Sequence, residues 1–195
     1  MMTLRFGDVA HILRGTVPAH ASEQGSGHRF FGIAEISAGG AVTRRLEADV
    51  DVGPYPVILL EGDIVLAQLG KPGSSVLINQ QSAGSVLGRE CLAIRLKQGD
   101  RQLSVEWLAA YLRSDRVRMQ LEAATSGSTM PRLNPKQLAD FELRVPSLSD
   151  QNRIVRRLSF VGAALNDQRQ LLTSLERLYT AEVELAIALS LSENL

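Results

Sequence analysis

Few side chains in this sequence stand at spacings that chemistry could use. His11, His20 and His28 all fall near the N-terminus. Their spacings match no usual zinc pattern, and no Ser-His-Asp set has a supporting context. Glu61 and Asp63 form a close acidic pair, but at a strand entry, where a turn role is the expectation rather than a metal site. Gly70-Lys71-Pro72-Gly73 resembles a phosphate loop only superficially. It lacks the Gly-x-x-x-x-Gly-Lys-Ser/Thr spacing and no helix follows, so it reads as a turn displaying a lysine or as a DNA-facing loop. Arg113, Arg116 and Arg118 form either a phosphate-approaching run or a solvated helix face. Catalysis by this chain is not expected, nor is a cofactor.

The elements that must position these groups are short. Phe6, Val9, Ala10, Ile12 and Leu13 lie at helical spacing, with Gly15 placed to cap a short helix. Residues 16 to 29 hold Pro18, Gly25 and Gly27 and predict a mobile loop. Phe30 to Ile36 reads as a strand stopped by Gly39-Gly40, followed by a polar stretch with Arg44 and Arg45. Val57–Leu60, Asp63–Leu69, Ser75–Ile78, Ser85–Leu87 and Cys91–Leu96 are rich in Val, Ile and Leu and separated by glycine turns, which predicts a compact, curved sheet. Ser104 can cap a helix that breaks near Ser114. Asn134, with Pro135 behind it, starts another. Phe141, Leu143 and Val145 alternate with charges as a half-buried strand.

The C-terminal stretch is different. Counting alternately four and three residues from Ile154 reaches Leu158, Val161, Leu165, Gln168, Leu172, Leu175, Tyr179, Glu182, Ala186 and Leu189. All but Gln168 and Glu182 are apolar or aromatic, the pattern of a heptad seam. Pro146, Ser147 and Asp150 supply the start signal. Only Gly162 interrupts, at a cost of roughly 1 kcal/mol. At 1.5 Å per residue the rod is about 60 Å long, so another helix is needed to cover much of its seam. The polar seam positions favour a specified register or partner.

Composition bounds these readings. The 195 residues are 45% hydrophobic and 22% charged, with zero formal net charge, ordinary for a globular chain. Cys91, the single cysteine, excludes a disulfide framework and fits a reducing cytosol. Neither a leader nor a membrane-spanning run is evident, so a cytoplasmic location without membrane contact is expected. Zero net charge argues mildly against stand-alone DNA binding, though not against binding shared with partners.

The order Gly127-Ser-Thr-Met-Pro-Arg-Leu133, Leu138, Phe141-Glu-Leu-Arg-Val-Pro146, Leu148, Gln151, Ile154-Val155 resembles the end of a target recognition domain. Such domains belong to the specificity subunits of type I restriction–modification systems. Phe6-Gly-Asp-Val-Ala10 with Arg14-Gly15 resembles that family's opening helix, and Leu60-Glu-Gly-Asp-Ile-Val65 its Pro-Gly-Asp strand entry. The resemblance covers nearly the whole chain in order. It departs in one respect: a full subunit carries two recognition domains and two long helices, whereas this sequence has one of each and looks like a half-subunit.

The resemblance implies an α+β fold. A globular recognition domain over 1–146, with a small curved sheet and short helices, precedes one long coiled-coil helix over 147–195. It implies a non-catalytic reader of double-stranded DNA serving a methyltransferase subunit, with a restriction subunit as a further partner. No Asn-Pro-Pro-aromatic motif or glycine-rich S-adenosylmethionine loop is present. The candidate DNA contacts lie on polar loops: Arg14, Arg44, Arg45, Lys71, Gln80, Gln81, Ser126, Ser128 and Arg132. Ile154, Leu158, Val161, Leu165, Leu172, Leu175 and Tyr179 would pair the helix with that of a second copy, a homodimer suited to a palindromic two-part target. Arg156 and Arg157 are outward charges that could meet a methyltransferase. Two other readings stay open: a coiled-coil adaptor whose head binds protein, and the recognition domain of a fused restriction–methylation enzyme.

Overall fold

The computed structural model describes residues 2–69, 71–99, 102–123, 125–126 and 132–192, with side chains described to residue 183 apart from that of Ser126. The chain forms two compact units, Met1–Asn152 and Arg153–Leu195. The first opens with β1 (Met2–Arg5), a single turn α1 (Phe6–Val9), β2 (Ala10–Arg14), β3 (Ala21–Ser22) and β4 (Phe30–Phe31). Next come α2 (Ile33–Ser37), β5 (Arg45–Leu46), β6 (Ile64–Ala67), β7 (Ser75–Leu77), β8 (Val86–Leu87) and β9 (Cys91–Leu96). Then follow α3 (Val105–Arg113), α4 (Asp115–Ala123), β10 (Thr125–Ser126), β11 (Arg132–Leu133), α5 (Pro135–Asp140), β12 (Glu142–Val145) and α6 (Leu148–Ser192). The architecture is α+β.

At its centre lies an antiparallel four-stranded sheet in the order β2-β9-β6-β7. Successive side chains of a strand point to opposite faces. On one face Val65, Ala67, Cys91 and Ala93 pack with Phe31, Ile36, Leu59 and Leu87. On the other, Ile64, Leu66, Leu92 and Ile94 are also buried. Covering both faces explains why these strands read as unbroken apolar runs rather than alternating ones. Deep burial pushes the Cys91 thiol far above its ordinary value, with Glu90 and Glu35 adding to the effect.

The helix starts follow the capping signals. Ser104 Oγ accepts from the Trp107 amide at 3.2 Å, and α3 gives way to α4 at Ser114. Asn134 Oδ1 accepts from the Lys136 amide with Pro135 at the first helical position. Ser147 Oγ accepts from the Asp150 amide and donates to its carboxylate at 2.7 Å. β12 is half-buried as its alternation requires.

Several expectations fail, each for a tertiary reason. The helix expected through Leu13 ends at Val9, because residues 10 to 14 pair along their length with β9. Gly15 is therefore no helix cap. A Cβ there would lie 2.0 Å from the Gly88 carbonyl oxygen, so glycine permits the close approach of two chain segments. The strand expected over Phe30 to Ile36 is two residues long. Glu35 turns back to accept from the Gly32 amide at 2.8 Å, satisfying a free donor at the start of α2. The segment 16–29 is not a free loop: β3 pairs with β5, Val17 bridges Gly88, and the Gly27 amide bonds the Leu46 carbonyl. Val57–Leu60 makes one bridge, Ile58 to Val86, and no strand. β1, not anticipated, pairs in antiparallel register with β12.

Candidate nucleic-acid interface

Strand direction decides which turns come together. β2 ends at Arg14 where β9 begins, and β6 ends where β7 and β9 begin. Arg14, the β6–β7 turn with Lys71, and the β8–β9 turn with Arg89 therefore share one end of the sheet. The β10–β11 hairpin is fastened there by Gln68. This glutamine, 1% exposed, donates through Nε2 to the Leu133 carbonyl at 2.9 Å, and its own carbonyl accepts from the Leu133 amide at 3.1 Å. Arg132 is thereby carried to the same end. Arg118 is close by, since a Cβ on Gly73 would meet its Cγ at 3.6 Å.

Arg14, Lys71 and Arg89 are exposed and Arg132 half-buried, and none has a carboxylate partner among the described residues. Arg118 pairs only with the exposed Asp115, a contact that solvent screens. Glu90, also at this end, is half-buried, and its Oε2 has no hydrogen-bond partner among the described residues. Unpaired cations on adjoining turns of a rigid sheet are a surface for a polyanion, because each can neutralise a phosphate without first breaking an internal pair.

The other sequence candidates divide. Arg44 does not join this surface: Nε and Nη2 form a fork on Glu35 at 2.7 and 2.8 Å, and the guanidinium lies over the Phe30 ring. Burial alone would push the Glu35 carboxyl up. The Arg44 fork and the Gly32 amide outweigh that and hold it below its ordinary value, while the Arg44 pKa is raised in turn. Arg45 is exposed and donates to the Gly27 carbonyl at 3.1 Å. With Arg29, His28 and Glu47 it lines an open cavity of ≈ 540 Å³. Gln80 and Gln81 follow β7 and lie at the opposite sheet end, where Arg29 donates to the Gln81 and Ala83 carbonyls. The Ser126 side chain and all of Ser128 lie outside the described residues.

Asp63 also serves structure. Its carboxylate takes a fork from Arg95 at 2.8 and 2.7 Å and accepts from the Leu60 amide, closing the turn through Gly62 at φ +86°. Hydrogen bonding to Asp63 raises the Arg95 pKa. Both carboxylate oxygens are occupied, as the turn reading required.

Arg89 is the cation at this end of the sheet that the sequence does not single out. Its only signal was a Gly-Arg-Glu turn between two strands.

At the root of α6, Gln151 is 0% exposed and fully used. Its Oε1 accepts from the Ser104 amide at 2.8 Å, and Nε2 donates to the Gln102 and Pro146 carbonyls at 2.7 and 3.0 Å. Farther along the helix the seam is bare. Ile154, Leu158, Val161, Leu165, Leu172, Leu175 and Tyr179 are 38–72% exposed. Leu171 and Leu178, each just before a seam position, are exposed too and widen the stripe. The side chains of Ala186 and Leu189 lie outside the described residues. No described helix is long and apolar enough to cross a membrane.

Residues 1–177 match the family model described as the type I restriction modification DNA specificity domain. No curated relative matches. Among solved structures, the chain is similar to one described under "complex assembly" and "conformational transition of the type I R-M system", at 25% identity and TM-score 0.65 over 91% of this chain and 43% of that one. It is also similar to the HsdS subunit from Thermoanaerobacter tengcongensis (22% identity, TM-score 0.62, 87% of this chain and 39% of that). A third is the type I restriction–modification S subunit from M. genitalium (14%, 0.59, 85% and 40%). The last two likenesses speak to fold alone. The chain spans about two fifths of the length of these three structures.

Proposed function

Because this chain belongs to the type I restriction–modification DNA specificity family, its residues 1–177 matching that family's model, we propose that it is a sequence-specificity module for duplex DNA. Its head contacts the duplex and its long helix pairs with a second such helix. The chain supplies recognition, while methyl transfer and cleavage belong to partner subunits. We assign the head to residues 1–146 and the pairing element to 147–195.

One observation carries the reading: Arg14, Lys71, Arg89 and Arg132, with no carboxylate partner among the described residues, gather at one end of the central sheet, beside a hairpin fastened there by Gln68. Phosphate contacts from these groups would set the register of the head on the duplex, leaving base edges to the adjoining turns. Arg44 is withdrawn from the set, since its fork is committed to Glu35. The bare stripe on α6 supports pairing, and a second copy in a closed two-fold arrangement is the simplest cover for a self-complementary surface.

The test is duplex affinity across a salt series. Each phosphate contact adds about 0.9 to the slope of log affinity against log salt. Lys71→Ala/Arg132→Ala should therefore flatten the slope by roughly 2. Arg44→Ala should leave the slope unchanged while lowering stability. A parent slope near zero would remove the DNA reading and favour a protein-binding adaptor.

A further inference from the structure

The exposed large side chain that the fold least explains is Tyr55. It is 90% exposed, and no hydrogen bond or ring contact of its side chain exists among the described residues. The turn that displays it is nevertheless tightly specified. Asp51 Oδ1 accepts from the Gly53 amide at 2.7 Å, and Gly53 takes φ +76°, a conformation that costs glycine little. Pro54 and Pro56 flank the tyrosine. Proline fixes its own φ and holds the preceding residue extended, so Tyr55 has little backbone freedom to lose on binding. A preordered aromatic tip costs less entropy to dock than a free loop.

Its position gives the tip a purpose. Tyr55 and Thr16 line the same cavity of ≈ 370 Å³. Thr16 follows Arg14 and Gly15, where the Gly15 amide bonds the Cys91 carbonyl at 3.2 Å and the Arg89 amide bonds the Val17 carbonyl at 2.9 Å. The aromatic tip is thus joined to the cationic end of the sheet, next to Arg14 and Arg89. An apolar ring at the border of a cationic surface suits a ligand with charged edges and apolar planes inside them, which describes a nucleic-acid duplex.

Resting on the DNA reading above, we propose that Tyr55 is a base-contacting residue: its ring enters a groove and packs against a base step while the neighbouring arginines hold phosphates. Because a base step must open to admit the ring, and steps differ in how easily they open, it contributes sequence preference rather than salt-dependent affinity.

The experiment uses the full chain. Preferred duplexes are recovered from a randomised pool, then titrated beside a scrambled duplex over a salt series, for the parent, Tyr55→Phe and Tyr55→Ala. Because the Tyr55 side chain is 90% exposed, the variants should melt with the parent. Tyr55→Ala should lose roughly 5- to 150-fold on the preferred duplex, the range of one base–aromatic stack, and little on the scrambled one, whose steps open less readily, with an unchanged salt slope. Tyr55→Phe should keep the parent preference. Equal preferred-to-scrambled ratios for parent and Tyr55→Ala would overturn the assignment and leave the DNA reading intact. So would a Tyr55→Ala that reads DNA normally but fails to retain a methyltransferase. A parent that binds no duplex would overturn both.

Discussion

Replacing Gln151 by leucine should show how the start of the long helix is held. The side chain is wholly buried and makes three hydrogen bonds of 2.7–3.0 Å, to the Ser104 amide and to the Gln102 and Pro146 carbonyls. Leucine fills similar space and makes none. A hydrogen bond contributes about 1 kcal/mol net, and a buried donor left unmatched costs about 1–3 kcal/mol. Gln102 is exposed, so its carbonyl can turn to water, whereas Ser104 is only partly exposed. We therefore expect Gln151→Leu to lose about 2–4 kcal/mol, a drop in Tm of roughly 5–15 °C for a chain of this size. Gln151→Glu should be worse at neutral pH, because a carboxylate keeps the acceptor facing Ser104 but sets negative charge against two carbonyls. Burial and those carbonyls would raise the folded pKa of the new acid. Its stability deficit should therefore shrink as pH falls through that raised value, towards the ordinary range near 4. Paired urea melts at pH 7 and pH 5 measure both effects. A Gln151→Leu variant within about 0.5 kcal/mol of the parent, the usual effect of a surface change, would refute the reasoning.

Two further outcomes follow from the same structure. Leu165→Glu/Leu172→Glu should turn a dimer into a folded monomer by light scattering. A parent that stays monomeric at high concentration would sink self-pairing and leave the stripe to a different helix. Glu35→Gln should cost about 2–4 kcal/mol by stranding the partly buried Arg44. The folded Glu35 pKa lies below its ordinary 4.5, so its contribution is present above that value and lost as pH falls through the lower one. Parent stability should therefore fall more steeply than that of Glu35→Gln in that acid window, and parallel pH profiles would disprove the linkage.

Legibility in the sequence followed the range of the interactions. The starts at Ser104, Asn134 and Ser147 could be read because a cap and the amide it satisfies lie two or three residues apart. The strands of the central sheet could be read because burial on both faces makes continuous apolar runs. β1 could not, since Met2–Arg5 becomes a strand only through β12, at the far end of the head's sequence. Residues 10–14 keep a helical spacing of apolar groups, yet pairing with β9 overrides it. One such error propagated into the site. Arg44 and Arg45 are alike in sequence; what separates them is Glu35, which reaches Arg44 only because residues 33–37 form a helix and not the expected strand. Grouping Arg14, Lys71 and Arg132 required strand directions, which only the pairing of β2, β6, β7 and β9 supplies.

The way Gln68 holds the β10–β11 hairpin has a consequence for change over time. On the hairpin the glutamine bonds the carbonyl and the amide of Leu133, both main-chain groups, so this tie reads no side chain of the hairpin. The side chains of Thr125 and Arg132 can change while both bonds persist, because a peptide group is the same whatever its Cα carries. On the DNA reading proposed above, a changed sequence preference could arise in this hairpin without altering its tie to the sheet. On that reading, retargeting becomes a problem of grafting side chains onto a fixed backbone, and Arg132 is the natural place to begin it.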